Sequence, residues 1–207
     1  MNLIERAKNI IVTPKTEWPV IENENMAPNS VITTYVIPLA AIAAAAAFIG
    51  YGVIGYSVLG IKVGGVKWGL YQALTILISA ILSVLVSALI IDALAPTFKS
   101  EKNINKSIQL TAFAYTPAWI GGLLSVLPAI AFLGSLFGLY GLYLLYVGLP
   151  IMKKTPEEQK TSYYVISLIV MIAAFFVMGL IFARIFMNIF DLATPSIDID
   201  SMMKNLK

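Results

Sequence analysis

Four long stretches of this chain contain no Asp, Glu, Lys or Arg: 25–61, 68–91, 107–152 and 161–183. A charged side chain at the centre of a bilayer is costly, so ionic residues mark where membrane helices must end. Within the first stretch the apolar part, 35–59, is long enough for one helix, and 68–91 makes a second of ordinary length. The third stretch is different. As one helix its 46 residues would be about 70 Å long, against a hydrocarbon core of roughly 30 Å. It must turn back, and Ser125-Val126-Leu127-Pro128 is the place, because proline disfavours helix in the residue before it. Spans at 108–124 and 129–149 follow, and the last stretch supplies a fifth, 161–190. The fold class is therefore an all-α integral membrane protein of five spans. Composition agrees: 59% of the residues are apolar and 12% charged, where a soluble domain carries about a quarter charged. The first apolar run begins too late and is too long for a signal peptide. Continuous runs also exclude a β-barrel, whose strands alternate.

Lys and Arg set the orientation. The N-terminal segment has Arg6, Lys8 and Lys15; the loop after the second span has Lys99, Lys102 and Lys106; the loop after the fourth has Lys153, Lys154 and Lys160. These three segments share one side and hold nine of the fourteen basic residues. The other side has Lys62, Lys67, Lys204 and Lys207, and Arg184 near the end of the last span can reach outward along its stem. The bias places the N-terminus in the cytoplasm and the C-terminus outside. The chain divides into a cytoplasmic amphipathic segment, 1–30, the spans, 31–190, and an extracytoplasmic tail, 191–207. In that tail Asp198 and Asp200 either hold a cation loosely or are simply solvated, and a disordered segment or surface helix is the expectation.

Several groups stand out against this background. Leu3, Ile4, Ala7, Ile10 and Ile11 recur at helical spacing. They define a short amphipathic helix that either lies in the membrane interface or packs on the protein itself. Trp18 reads as an interfacial anchor. Thr155-Pro156-Glu157-Glu158 is a helix start, with Thr155 as cap and Pro156 at the first helical position. Ser79, Ser83 and Ser87 repeat every four residues, as a helix-packing seam does, and Ala43/Ala47 and Gly134/Gly138 have similar small-residue spacing. In the third span Pro117 cannot donate to the carbonyl of Phe113, so that oxygen needs a hydroxyl or water. A kink there either lines a cavity or only shapes packing. Gln72, Tyr115, Pro117, Trp119, Tyr140, Tyr143 and Tyr146 are the candidates for such a lining.

No Cys and no His occur, which removes thiolate chemistry, the commonest general base and the commonest zinc ligands. No nucleophile–base spacing appears among the remaining residues. The expectation is a protein that is not an enzyme, without catalytic residues, cofactor or metal. The basic residues are few and spread along the membrane edge, so nucleic acid is no partner.

Pro14-x-x-x-Trp18-x-x-Ile21, Tyr115-x-Pro117-x-Trp119, and Leu142-Tyr143-x-x-Tyr146-x-Gly148-Leu149-Pro150 before Pro156-Glu157-Glu158 resemble, in order and spacing, the YIP membrane family. That family is named for eukaryotic proteins that interact with Ypt/Rab GTPases. The resemblance runs from about Leu3 to Phe190 and implies five spans, N-terminus in and C-terminus out. It is closest to the prokaryotic branch, because only about 30 residues precede the first span, where eukaryotic members have a long cytoplasmic region; GTPase binding is therefore not carried over. The resemblance brings no activity with it; motif order, topology and the lack of catalytic residues together lead to the expectation of a multi-pass protein of a prokaryotic cytoplasmic membrane, acting as a scaffold or organiser through helix and lipid contacts. Its partners would be membrane lipids and either further copies of itself or another membrane protein. The rival expectation is a small transporter, channel or lipid-translocating protein, using a cavity between the third and fourth spans.

Overall fold

A computed structural model describes residues 2–58 and 61–189 of the chain. The tail and its Asp198 and Asp200 lie outside the described residues. Helices account for nearly all of the remainder. Leu3–Val12 (α1) starts on Asn2, whose side chain accepts the backbone N–H groups of Ile4 and Glu5. Pro14 begins Pro14–Asn23 (α2). The first membrane helix, Pro28–Ile54 (α3), includes two π-helical stretches, Ile32–Val36 and Phe48–Ile54. A two-stranded antiparallel hairpin, Tyr56–Val58 (β1) with Ile61–Val63 (β2), joins it to Val66–Leu94 (α4). A 3-10 turn, Ala95–Phe98, extends α4, and Lys99 ends it in the left-handed conformation. Ile104–Ala114 (α5) and Thr116–Gly121 (α6) follow, then Ala131–Lys153 (α7) and Glu157–Ile189 (α8).

Four of the five expected spans coincide with long apolar helices, with shifted ends, and the third is not a single helix. Four helices are long and apolar enough to cross a membrane: Pro28–Ile54, Val66–Phe98, Phe132–Lys153 and Glu157–Ile185. The third expected span is broken at Tyr115 between α5 and α6 and decays into a 3-10 turn at Gly122–Val126. Leu127 is extended ahead of Pro128, at the reversal read from the sequence. Residues 55–58, assigned to the first span by hydropathy, instead leave the helix at Gly55 and enter the hairpin, and residue 59 of that expected span lies outside the described residues. Gly55, Gly64 and Gly65 all have positive φ there, conformations that tolerate no ordinary side chain without strain.

The broken segment is the centre of the molecule. Every residue from Lys106 to Ala114 is buried. Around it pack α3, α4 and α7, with α1 and α2 against the same end of the bundle. Irregular backbone at membrane depth is tolerated where protein covers it, and the most irregular of these segments is also the most enclosed. The opposite holds for α8, where only 11% of the most apolar window is buried. Its exposed face runs from Val165 to Ile185, about 30 Å at helical rise, the thickness of the hydrocarbon core. A surface this apolar has lipid as its solvent. The chain is an all-α membrane protein.

Candidate functional site

The hydroxyls flanking the break are matched inside the bundle, while the buried side-chain oxygen of Gln109, earlier in the same segment, has no partner among the described residues. Pro117 cannot donate to Phe113, and the hydroxyl of Thr116 does so in its place, 2.8 Å from the Phe113 carbonyl oxygen. The same hydroxyl is 2.7 Å from that of Tyr35 on α3. The Tyr35 ring lies edge-on to Phe113 and Trp119, 4.6 and 6.4 Å between centroids. Tyr115, at the break, sets its hydroxyl 2.5 Å from Ser87 on α4, with the Met171 sulfur of α8 at 3.9 Å. One residue of the serine repeat thus joins α4 to the kink; Ser83 only bonds back along its own helix, 3.2 Å from the Ala80 carbonyl oxygen.

The proposed lining residues are divided between three places. Tyr115, Pro117 and Trp119 belong to this packed centre, with Pro117 and Trp119 buried. Tyr140, Tyr143 and Tyr146 face α1, α2 and α8. The Tyr140 hydroxyl donates to the carbonyl of Ile11 at 2.7 Å, its ring lies 5.5 Å from that of Tyr143, and Tyr146 meets Tyr164 edge-on at 5.1 Å. Gln72 sits on α4 near the hairpin end, half-buried and apart from both groups. Of the small-residue pairs, Ala43 and Gly134 stand at close helix contacts. A Cβ on Gly122 would come within 2.9 Å of Ala43, and one on Gly134 within 2.5 Å of the Gly121 carbonyl oxygen, while Gly138 faces open space.

A second constellation is built at the other end of the bundle from residues that hydropathy treats as punctuation. Lys153, the last residue of α7, is fully enclosed. Its ammonium donates to Asp92 of α4 at 2.9 Å, to the Ser107 hydroxyl at 2.8 Å and to the Asn103 carbonyl at 3.0 Å. Three donors meet three acceptors, which is what an enclosed ammonium requires. Beside it the Tyr163 hydroxyl donates to the Ile91 carbonyl at 2.5 Å. The α2–α3 connection is tied down by Lys106, which donates to the carbonyls of Glu22 and Glu24, and by Gln109, which donates to those of Glu24 and Met26. Arg6 of α1 is buried, pairs with Glu17 and Glu24, and lies 5.8 Å from the centre of the Phe113 ring. Trp18, read from the sequence as an interfacial anchor, is wholly enclosed, its indole over Gly148 of α7. Sequence spacing alone carries no sign of the Asp92–Lys153 pair, whose partners are 61 residues apart.

Outside the membrane helices, Lys154 is 3.0 Å from Glu101 and holds that carboxyl below its ordinary value. The Thr155 hydroxyl, expected to cap α8, accepts from Ser100 at 2.9 Å and so joins the same two loops. The N-terminal helices, the 95–107 connection and the start of α8 thus form one polar end. The hairpin and the 122–130 turn lie at the other, where Gly50 approaches the Ser125 carbonyl oxygen.

Fold and site together define a multi-span helical membrane protein with an irregular, buried central helix and a docked N-terminal helical hairpin. The sequence matches the family model described as the Yip1 domain over residues 8–181, and the chain belongs to that family. No curated protein and no solved structure matches it.

Proposed function

We propose that this chain is a five-span, non-enzymatic membrane scaffold or organiser, with its N-terminus in the cytoplasm and its C-terminus outside. It would reside in a prokaryotic cytoplasmic membrane and work through helix and lipid contacts. One observation carries the reading: the kinked third segment, where a transporter would open a path, spends its polar groups on other side chains, Thr116 on Tyr35 and Tyr115 on Ser87. Buried hydroxyls satisfied in this way favour a fixed packing. The wide apolar face of α8 adds a surface for lipid, a further copy or another membrane protein.

The transporter alternative draws on the helix break at Tyr115. Reconstitution separates the two. A scaffold gives vesicles with unaltered permeability and lipid distribution and no hydrolytic or transferase turnover. Flux of a solute or lipid that disappears with Tyr115→Ala would establish the alternative instead.

A further inference from the structure

Between α2, α7 and α8 runs an open groove of about 430 Å³ that the packing network does not use. Lys15 and Lys160 stand at its polar end, and Tyr143, Tyr146, Pro150 and Ile151 form its sides. A second groove, against Thr13 and Tyr140, shares Lys15 and Tyr143 with it, so the two are continuous. Lys15 is exposed on the first turn of α2, and among the described residues no carboxylate pairs with it. The Lys160 ammonium is held 4.7 Å above the centre of the Tyr146 ring. Glu157, an exposed residue that also lines the groove, pairs with it at 3.8 Å.

The level of this groove in the membrane follows from α8. Its lipid-exposed apolar face begins at Val165. The residue before it, Tyr164, donates to the Leu142 carbonyl at 3.0 Å, which aligns the edge of the hydrocarbon with the Leu142–Tyr146 turn of α7. Lys15 and Lys160 are therefore at headgroup height, above an aromatic wall that continues downward to Tyr143 and the exposed Leu139 and Leu142. Two ammonium groups at that height complement a phosphate, and the apolar wall beneath complements an acyl chain.

We propose that this groove is a binding site for one anionic glycerophospholipid of the N-terminal-side leaflet. Its phosphate would lie between Lys15 and Lys160, within reach of the Tyr143 hydroxyl, and its chains would follow α7. The site rests on the reading of α8 as a membrane helix and gives the lipid contacts of the proposed scaffold a location. Because binding is read without any assay of flux or turnover, the site can fail while the scaffold reading stands.

The test titrates the full chain in neutral detergent with short-chain phosphatidylglycerol, short-chain phosphatidylcholine and inorganic phosphate, following bound lipid by native mass spectrometry. Phosphatidylglycerol is expected to bind more tightly than phosphatidylcholine, with Lys15→Gln/Lys160→Gln weakening it about thirtyfold, to the phosphatidylcholine level. Inorganic phosphate is expected not to compete. Lys15→Glu, at an exposed position, gives the same loss of preference without touching the Lys160–Tyr146 contact. Equal binding of the two lipids, or a preference that survives both sets of substitutions, would overturn the proposal. Competition by phosphate alone would assign the lysines to a free anion and overturn the lipid.

Discussion

The indole of Trp18 lies directly over Gly148: a Cβ at residue 148 would be 2.5 Å from its Cε2 and 2.7 Å from its Cζ2. Trp18 is completely enclosed and Leu110 closes the far side at 2.8 Å, so neither neighbour has room to give. The contact holds α2 along α7, and through the buried Arg6 it secures α1 as well.

Gly148→Ala is therefore expected to destabilise the protein by about 1–3 kcal/mol, the usual cost of overpacking. It should also speed proteolytic cleavage within residues 1–24. Gly179→Ala, where nothing lies within 4 Å, provides the matched control and should be neutral or slightly stabilising. Thermal unfolding in detergent and limited proteolysis measure both effects. A Gly148→Ala protein as stable and resistant as the control would refute the docked hairpin.

Removing one member of the Asp92–Lys153 pair should be worse than removing both. Asp92→Ala leaves an enclosed ammonium with only neutral acceptors and is expected to cost about 3–5 kcal/mol. Asp92→Ala/Lys153→Met removes both charges and should recover most of that loss. The double-mutant cycle is read from unfolding midpoints, and additive losses would mean the two residues do not interact.

Tyr115→Phe tests whether the kink is packed. Losing the Ser87 hydrogen bond should cost about 1 kcal/mol, Ser87→Ala a similar amount, and the double substitution little more than either. Tyr115→Ala should cost about 3–5 kcal/mol through the cavity it leaves. If water lined this position, Tyr115→Phe would leave stability unchanged.

Glu101 and Lys154 give the polar end a weak acid dependence. The Lys154 ammonium, and after it the Asn103 amide, hold the Glu101 carboxyl below its ordinary 4.5. A depressed folded value adds stability above the ordinary value and loses it as pH falls through the folded one. The advantage of the wild type over Glu101→Gln should therefore diminish as pH falls below the ordinary carboxylate value and vanish once the folded carboxyl is protonated. Salt should shrink it at higher pH, since both groups are exposed. An advantage that did not diminish on acidification would show that the carboxylate is not its source.

What the sequence made legible is what one-dimensional chemistry controls. Charge-free runs located the four helices long and apolar enough to cross a membrane, Pro128 located the reversal, and Pro117 required a hydroxyl for Phe113 that Thr116 supplies. Helix ends were less legible, because hydropathy cannot separate a hairpin from a helix when both are apolar, as at Tyr56–Val58. Side-chain partners were illegible altogether. Lys153 reads as a loop cation and Trp18 as a headgroup anchor until α4, α5 and α7 meet around them; nothing in their local spacing specifies that meeting. The seven candidate lining residues were chosen for polarity or irregularity alone, and the fold assigns them to different neighbours.

The absence of cysteine from the chain makes single-cysteine labelling free of background, and it addresses the third segment directly. Gly50, at the far end of α3, is so close to the Ser125 carbonyl that a Cβ there would be 1.8 Å from the oxygen. At the other end of the same segment, Lys106 is bound to the carbonyls of Glu22 and Glu24, ahead of α3. A segment that touches both ends of a membrane helix is predicted to cross as well, although its break at Tyr115 deprives it of one continuous apolar helix. In sealed, right-side-out vesicles, Ser57→Cys and Leu127→Cys are expected to react with a membrane-impermeant maleimide. Lys99→Cys and Glu157→Cys should react only after permeabilisation. Protection of Leu127→Cys together with Lys99→Cys would make the segment re-entrant, reduce the crossings to four, and place both chain ends on one side.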